Sequence, residues 1–136
     1  MGQKGKQLSW LLRHGASETG LAMDGAGWAS LDAVMALTGM GERAIQAVVR
    51  SDGKSRFQID GDRIRACQGH STDGTPVRAD DLEASWAPWT GRGPVWHGTN
   101  LKALPSIHET GLEPRARTHV HLAESEDSVV GKRAHV

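Results

Sequence analysis

The sequence predicts an α+β fold, and three features carry that prediction. Apolar residues recur at helical spacing three times before residue 51, and alternating residues on either side of Asp60-Gly61-Asp62 mark a β-hairpin. A run rich in chain breakers then precedes a second set of short elements. A chain of 136 residues suffices for one ordinary domain or two small lobes. Its 16 Lys and Arg balance 16 Asp and Glu, with an isoelectric point near 7.1. That balance excludes the bulk basicity of a general nucleic-acid coat, so any anion must be held by a local cluster. Cys67, the single cysteine, excludes an intramolecular disulfide and a cysteine-rich zinc site. No apolar run could span a bilayer and Met1-Gly2 opens no signal peptide, so a cytoplasmic protein without membrane attachment is expected.

Residues 4–14 place Leu8, Leu11 and Leu12 at helical spacing and end in Arg13-His14 ahead of Gly15. The first helix is expected to stop there, with two cationic groups at its C-terminus. Such a pair serves either as a cap or to present a guanidinium and an imidazole to one ligand. Gly20 to Trp28 reads as a loop pinned to the core through Leu21 and Trp28. Ser30 is the expected N-cap of a second helix, with Leu31, Val34 and Met35 as its buried stripe and Gly39 as its stop. A third helix carries Ile45, Val48 and Val49 and ends at Ser51-Asp52-Gly53.

In the hairpin, period two puts Phe57 and Ile59 on one face, and Ile64 with Ala66 on the core face of the return strand. Arg63, Arg65 and Cys67 then point the other way, so Arg65 is expected to be exposed beside the turn Gln68-Gly69-His70-Ser71. A planar guanidinium there suits bidentate grip on a phosphate, the alternative being a solvated hairpin arginine. Three short helices followed by a hairpin is the order of a winged-helix lobe, assigned to residues 1–80.

Asp73-Gly74-Thr75-Pro76, Trp86-Ala87-Pro88-Trp89 and Gly91-Arg92-Gly93-Pro94 read as surface chain, with a linker over 81–94 and a second lobe over 95–136. Val95-Trp96-His97 is expected as a strand. Gly98-Thr99-Asn100 can cap a helix carrying Leu101, Leu104 and Ile107, which Pro105 delays or bends and Gly111 ends. His119-Val120-His121-Leu122 alternates as a further strand, and Ser125 opens a last helix through Val129 and Val130 to Gly131-Lys132-Arg133.

Among seven histidines, His119 and His121 share a strand face that His97 could approach, which invites a metal reading. No carboxylate or cysteine stands at ligand spacing nearby, so no metal is expected. There is no Walker loop, and no Rossmann glycine pattern follows a strand. What stands out is a set of cationic groups at element ends: Arg13, His14, Arg65 and Arg133.

Several motifs now fall into one order. They are Leu8-Ser9-x-x-Leu12-Arg13-His14, Gly27-Trp28, Lys54-x-Arg56-Phe57, Ile64-Arg65-Ala66-x-Gln68-Gly69-His70-Ser71, His97-Gly98-Thr99, Gly111-Leu112, His119-Val120-His121-Leu122 and Val130-Gly131-x-Arg133. In order and spacing they resemble the NAD-dependent RNA 2′-phosphotransferases of the KptA family. The likeness covers nearly the whole chain, with Cys67 where the family more often has Asn.

The resemblance implies a winged-helix-like RNA lobe followed by an ADP-ribosyltransferase-like NAD lobe; a monomer is expected. It implies that an internal RNA 2′-phosphate attacks NAD, nicotinamide leaves, and the ribose 2″-hydroxyl then displaces the RNA as ADP-ribose 1″,2″-cyclic phosphate forms. Matched residue by residue, the catalytic set falls on Arg13, His14, Arg65 and Arg133, and NAD contacts on His97, Gly98, Thr99, His121 and Leu122. RNA contacts fall on Lys54, Arg56, Gln68, His70 and Ser71. Family members usually continue for several strands beyond the Gly-x-Arg motif, so an incomplete NAD lobe is expected. Two rival readings stand beside this one: a non-catalytic winged-helix nucleic-acid-binding module or inactive fragment, and an ADP-ribosyltransferase acting on terminal RNA phosphates.

Overall fold

The helical spacing of Leu8, Leu11 and Leu12 drives all three side chains into the core, each 3% exposed or less. In the computed structural model, which describes residues 1–125, they lie on one continuous helical rod. The rod runs as α1 (Gln3–Trp10), a single π-helical turn (Leu11–Gly15) and α2 (Ala16–Thr19). It does not stop at Gly15, which stays right-handed; Gly20 closes it at φ 73°. Gly15 answers a different need, since a Cβ there would lie 2.6 Å from the Trp10 ring. Arg13 and His14 consequently sit inside the rod and not at an exposed end.

A two-residue strand, β1 (Ala29–Ser30), leads into α3 (Leu31–Thr38), whose N-cap Ser30 Oγ accepts from the Ala33 amide at 3.4 Å. Gly39 ends α3 at φ 71°, and α4 (Glu42–Ser51) follows. The hairpin pairs β2 (Phe57–Asp60) with β3 (Arg63–Ala66) in the register Phe57 to Ala66 and Ile59 to Ile64. Its loop is Gly61-Asp62, with Gly61 at φ 61° where a II′ turn requires glycine. The antiparallel sheet has the order β1-β3-β2. One face packs Phe57, Ile64 and Ala66 against Leu8, Leu12, Leu31, Val34 and Ile45. Each large side chain so buried contributes roughly 1.5–3 kcal/mol.

The opposite face is covered as well. Asp24 Oδ1 accepts from the amides of Ala26 (3.0 Å) and Trp28 (2.9 Å), and this tight loop lays the Trp28 ring over the β3 arginines. Trp28 therefore stacks on cations instead of pinning the loop to the core, while Leu21 is buried as expected.

Beyond the hairpin the chain stays packed: His70, Thr75 and Val77 are buried, and α5 (Ala79–Ala84) buries Leu82 where the breaker-rich composition suggests linker. Further on, α6 (Leu104–Thr110) starts late, with Pro105 in its first turn, and Gly111 ends it at φ 83°. The strands expected at 95–97 and 119–122 reduce to one isolated antiparallel pair, Trp96 with Ala123, joined by two 2.8 Å backbone hydrogen bonds. Among the described residues no further strand flanks that pair, and a lone pairing does not extend into a ladder. The expected last helix and Arg133 lie outside the described residues. Among the described residues no helix is long and apolar enough to cross a membrane.

Candidate functional site

In a regular α-helix the Ser17 amide would donate to the Arg13 carbonyl. At the π turn both groups turn outward: the Arg13 carbonyl accepts from the Ser71 amide at 2.9 Å, and Ser17 donates to the Gly74 carbonyl at 3.0 Å. The loop after β3 is thus spliced into the rod, which joins Arg13-His14 to Gly69-His70-Ser71 across 58 residues of sequence. Such π turns recur at functional sites because they release backbone groups and re-aim side chains.

Cations gather around this splice. Gly69, at φ 83°, leaves room for two guanidinium groups: a Cβ on it would lie 2.9 Å from Arg117 Nη1 and 3.1 Å from Cζ and Nε of Arg13. Arg117 Nη1 donates to the Gly69 carbonyl at 2.8 Å. Burial, then the charges of Arg117 and Arg56, lower the Arg13 pKa to about 10, so it stays protonated at neutral pH. Burial and the charges of Arg117 and Arg13 also push His14 below the usual imidazole range. His70 is fully buried with neither ring nitrogen partnered. Burial, followed by the charges of Arg13, Arg65, His14 and Arg117, brings its pKa down to about 4. A neutral imidazole in a cluster of cations is the consequence. Burial pushes the Cys67 thiol up, against the pull of Arg65 and Arg13.

Arg65 is 5% exposed, not the exposed side chain that period two implies. Its guanidinium donates to Gln58 Oε1 (3.0 Å), Ser85 Oγ (2.7 Å) and the Ala26 carbonyl (3.3 Å). Its Cζ lies 4.6 Å from the centre of the Trp28 ring. Strand alternation said which face Arg65 occupies; the loop before β1 and the end of α5 bury that face.

The residues expected at RNA divide. Arg56 pairs with Asp52, whose carboxylate also accepts from the Arg56 amide at 2.6 Å. Lys54 and Arg56 line an open groove of about 840 Å³ with Lys4 and Lys6, between α1 and α4. His70 is enclosed, and Ser71 spends its amide on Arg13 and its hydroxyl oxygen on the Gly74 amide at 3.2 Å. Gln68 is half-buried beside them.

In the second half, the His97 ring donates through Nδ1–H to the His121 carbonyl at 2.9 Å, drawing those two residues together. Burial and the charges of Arg13 and Arg117 lower the His121 pKa, and its buried Nε2 has no partner. A cavity of about 120 Å³ beside His97 and Thr99 is closed by residues of α6 and by Arg115. Gly98 and Leu122 lie open to solvent. His119 turns away to Glu83 Oε1 at 2.8 Å and packs against Trp86. Among the described residues no group of three or more His, Cys, Asp or Glu is placed to hold a metal.

Arg117 escaped the sequence reading. The parity that puts His119 and His121 on one side also includes Arg117, and extending the alternation back by two residues reveals it.

A family model described as RNA 2′-phosphotransferase, Tpt1 / KptA family, matches residues 2–136. A Pseudomonas aeruginosa protein named "Probable RNA 2′-phosphotransferase" is 41% identical over 125 residues, covering 87% of this chain and 65% of its own length. A protein of the same name from Pseudomonas syringae pv. tomato is 36% identical over 137 residues, covering 94% of this chain and 70% of its own. "Probable RNA 2′-phosphotransferase 2" of Archaeoglobus fulgidus is 37% identical over 134 residues, covering 94% of this chain and 59% of its own. The chain thus spans 65% of the length of the Pseudomonas aeruginosa relative.

Proposed function

The chain belongs to the RNA 2′-phosphotransferase, Tpt1 / KptA family, and from that premise we propose that it acts in removing an internal 2′-phosphate from RNA by transfer to NAD. The products in this reading are RNA with a free 2′-hydroxyl, nicotinamide and ADP-ribose 1″,2″-cyclic phosphate. One observation carries the reading: the Arg13-His14 pair and the Gly69-His70-Ser71 turn meet at the π turn, in a cluster where charges repel and burial strips water. Such a cluster is at rest only around an anion.

A 2′-phosphate carries about −1.5 to −2 charge and must be held without losing its nucleophilicity. Arg13 and Arg65 do this as fixed charges, and His14, neutral at pH 7, adds a hydrogen bond. Arg65 is the most constrained of them, its guanidinium set by Trp28, Gln58 and Ser85. Nicotinamide is a cationic leaving group and needs no general acid. When the RNA is displaced, charge builds on phosphorus and on the departing 2′-oxygen, where each preorganised donor is worth on the order of 10²–10³ in rate. We assign Arg133 to the same set from its motif.

NAD, as co-substrate, is assigned to His97, Gly98, Thr99, His121 and Leu122. The unpartnered His121 Nε2 and, apart from it, the cavity that His97 and Thr99 line fit that assignment as polar places for part of a dinucleotide. The groove carrying Lys4, Lys6 and Lys54 is read as the track of the flanking RNA backbone. The order α1, β1, α3, α4 and hairpin, with β1 on the edge of β3, supports a winged-helix-like RNA lobe, and residues 95–136 are read as belonging to an ADP-ribosyltransferase-like one.

The test is to incubate the chain, and a version extended to the length of its relatives, with NAD and an oligoribonucleotide bearing one internal 2′-phosphate. Mass spectrometry should show loss of the phosphate and release of the cyclic product. Binding without turnover in both forms would favour the non-catalytic RNA module instead.

A further inference from the structure

We propose that Ser85 is a positioning residue for Arg65, and that its neighbours Glu83 and Trp86 tie that support to His119 in the second half of the chain. The inference rests on the RNA 2′-phosphotransferase reading only for the use to which Arg65 is put. The Ser85 hydroxyl donates to the Leu82 carbonyl at 2.6 Å, which spends its proton, so its oxygen meets Arg65 Nη1 at 2.7 Å purely as an acceptor. Gln58 takes the Nε–H, and the Ala26 carbonyl takes the other N–H of Nη1. Among the described residues the two N–H groups of Nη2 carry no hydrogen bond, so that nitrogen is the one left for an anion.

The segment that carries Ser85 is itself held at three places. Leu82 is fully buried, and the last turn of α5 closes through the Ser85 amide to the Leu82 carbonyl and the Trp86 amide to the Glu83 carbonyl, each at 3.1 Å. At the start of α5 the Arg78 amide donates to the Gly25 carbonyl at 2.9 Å, which fastens the helix to the loop that supplies Ala26 and Trp28. The third hold comes from 36 residues further on: His119 Nε2 donates to Glu83 Oε1 at 2.8 Å, and its ring centre lies 4.8 Å from that of Trp86. One turn of chain thus touches both the arginine assigned to phosphate and the segment that leads to His121, assigned to NAD. A free arginine side chain spreads over many rotamers. Bonded through three N–H groups, Arg65 donates along one direction, as charge developing in a transition state requires.

Nitrogen-15 NMR of the arginine side chains reads the support directly, with Arg65 assigned by its absence in Arg65→Lys. In the unaltered chain Arg65 should give separate Nη1 and Nη2 signals, the mark of hindered rotation in its guanidinium. Ser85→Ala should speed that rotation about tenfold and merge the signals, as loss of a hydrogen bond to a charged group implies. Ser85→Thr, which keeps the hydroxyl, should leave them apart. Glu83→Ala alters no group that touches Arg65, yet should speed the rotation severalfold; Glu83→Gln, which still accepts from His119, should not. A single averaged signal in the unaltered chain, or separate signals in Ser85→Ala, overturns the positioning role, and unchanged rotation in Glu83→Ala overturns the tie to His119. Turnover of 2′-phosphorylated RNA by the version extended to the length of its relatives is the second readout. There Ser85→Ala should lower kcat about tenfold with KM moved less than about twofold, and Ser85→Thr should recover it. An Arg65 set free by Ser85→Ala with kcat and KM both unchanged keeps the support and removes Arg65 from phosphate transfer, a failure of the functional reading alone.

Discussion

Gly74 lies so close to His14 that a Cβ on it would overlap the His14 carbonyl oxygen and sit 2.7 Å from Ser71 Oγ. Neither neighbour can yield freely, because the carbonyl belongs to the π turn and the Ser71 hydroxyl is engaged with the Gly74 amide. Gly74→Ala is therefore expected to prise the loop off the rod, at about 1–3 kcal/mol of stability. Because the same splice sets Arg13 and His14, turnover should fall by roughly 10²-fold, as about 1 Å of misplacement does elsewhere. Urea unfolding alongside the NAD-dependent assay checks both, and wild-type stability would show that the contact is slack.

Arg65→Ala is expected to abolish phosphate removal and also to destabilise the fold by roughly 2–3 kcal/mol. The stability loss follows from burial: three hydrogen bonds and the stack on Trp28 disappear together, leaving Gln58, Ser85 and the Ala26 carbonyl unpaired. An exposed arginine would cost little. Arg65→Lys should keep much of the stability but little activity, since a point charge cannot reproduce the fork. Denaturant midpoints separate the two effects, and an Arg65→Ala variant as stable as wild type would contradict the packing described here.

Local patterning accounts for what was legible. The N-cap at Ser30, the stop at Gly39, the hairpin turn at Gly61 and the inward face of Phe57, Ile64 and Ala66 each depend on residues within one or two turns of chain. Arg13, His14, Gly69 and Ser71 were picked out as motifs, yet what unites them is a break in helical hydrogen bonding that no periodicity announces. Gly15 was misread as a stop because close approach to Trp10 and a left-handed turn both select glycine. Arg65 was misread as exposed because alternation describes one sheet, while its cover comes from Trp28 and Ser85.

Acidification is expected to weaken the fold through His70. Its pKa is about 4 in the fold against an ordinary 6.5, so the unfolded chain binds more protons between those values. Stability contributed by the neutral ring is fully present above pH 6.5 and lost as pH falls through 4, on the order of 3 kcal/mol in total. His14 and His121 are lowered too and act in the same direction. His70→Gln should flatten the stability profile between pH 7 and pH 4, measured as urea midpoints, whatever its absolute stability. An unchanged slope in that variant would move the proton uptake to another group.

Lys54 and Arg56 are expected to behave differently despite their equal charge. Asp52, its side chain 3% exposed, holds the Arg56 guanidinium and accepts from the amides of Arg56 (2.6 Å) and Lys54 (3.4 Å). The turn it organises includes Ser55 at φ 49°, a strained conformation for a side-chain-bearing residue. Arg56→Ala removes one partner of a largely buried pair and should cost roughly 3 kcal/mol of stability, because the Asp52 charge is left uncompensated. Its effect on RNA affinity, measured below the unfolding transition, should be small, since a neutralised guanidinium releases few counterions. Lys54 lines the groove with Lys4 and Lys6 without appearing among the ion pairs of the described residues. Lys54→Ala should leave stability nearly unchanged and reduce the slope of log affinity against log salt by about one for any RNA sequence. Fluorescence anisotropy with a labelled oligoribonucleotide from 50 to 200 mM salt, over which the Debye length falls about twofold, measures that slope. If Arg56→Ala lowers the slope and Lys54→Ala does not, the RNA backbone reaches Arg56 by displacing Asp52, and the groove is not its track.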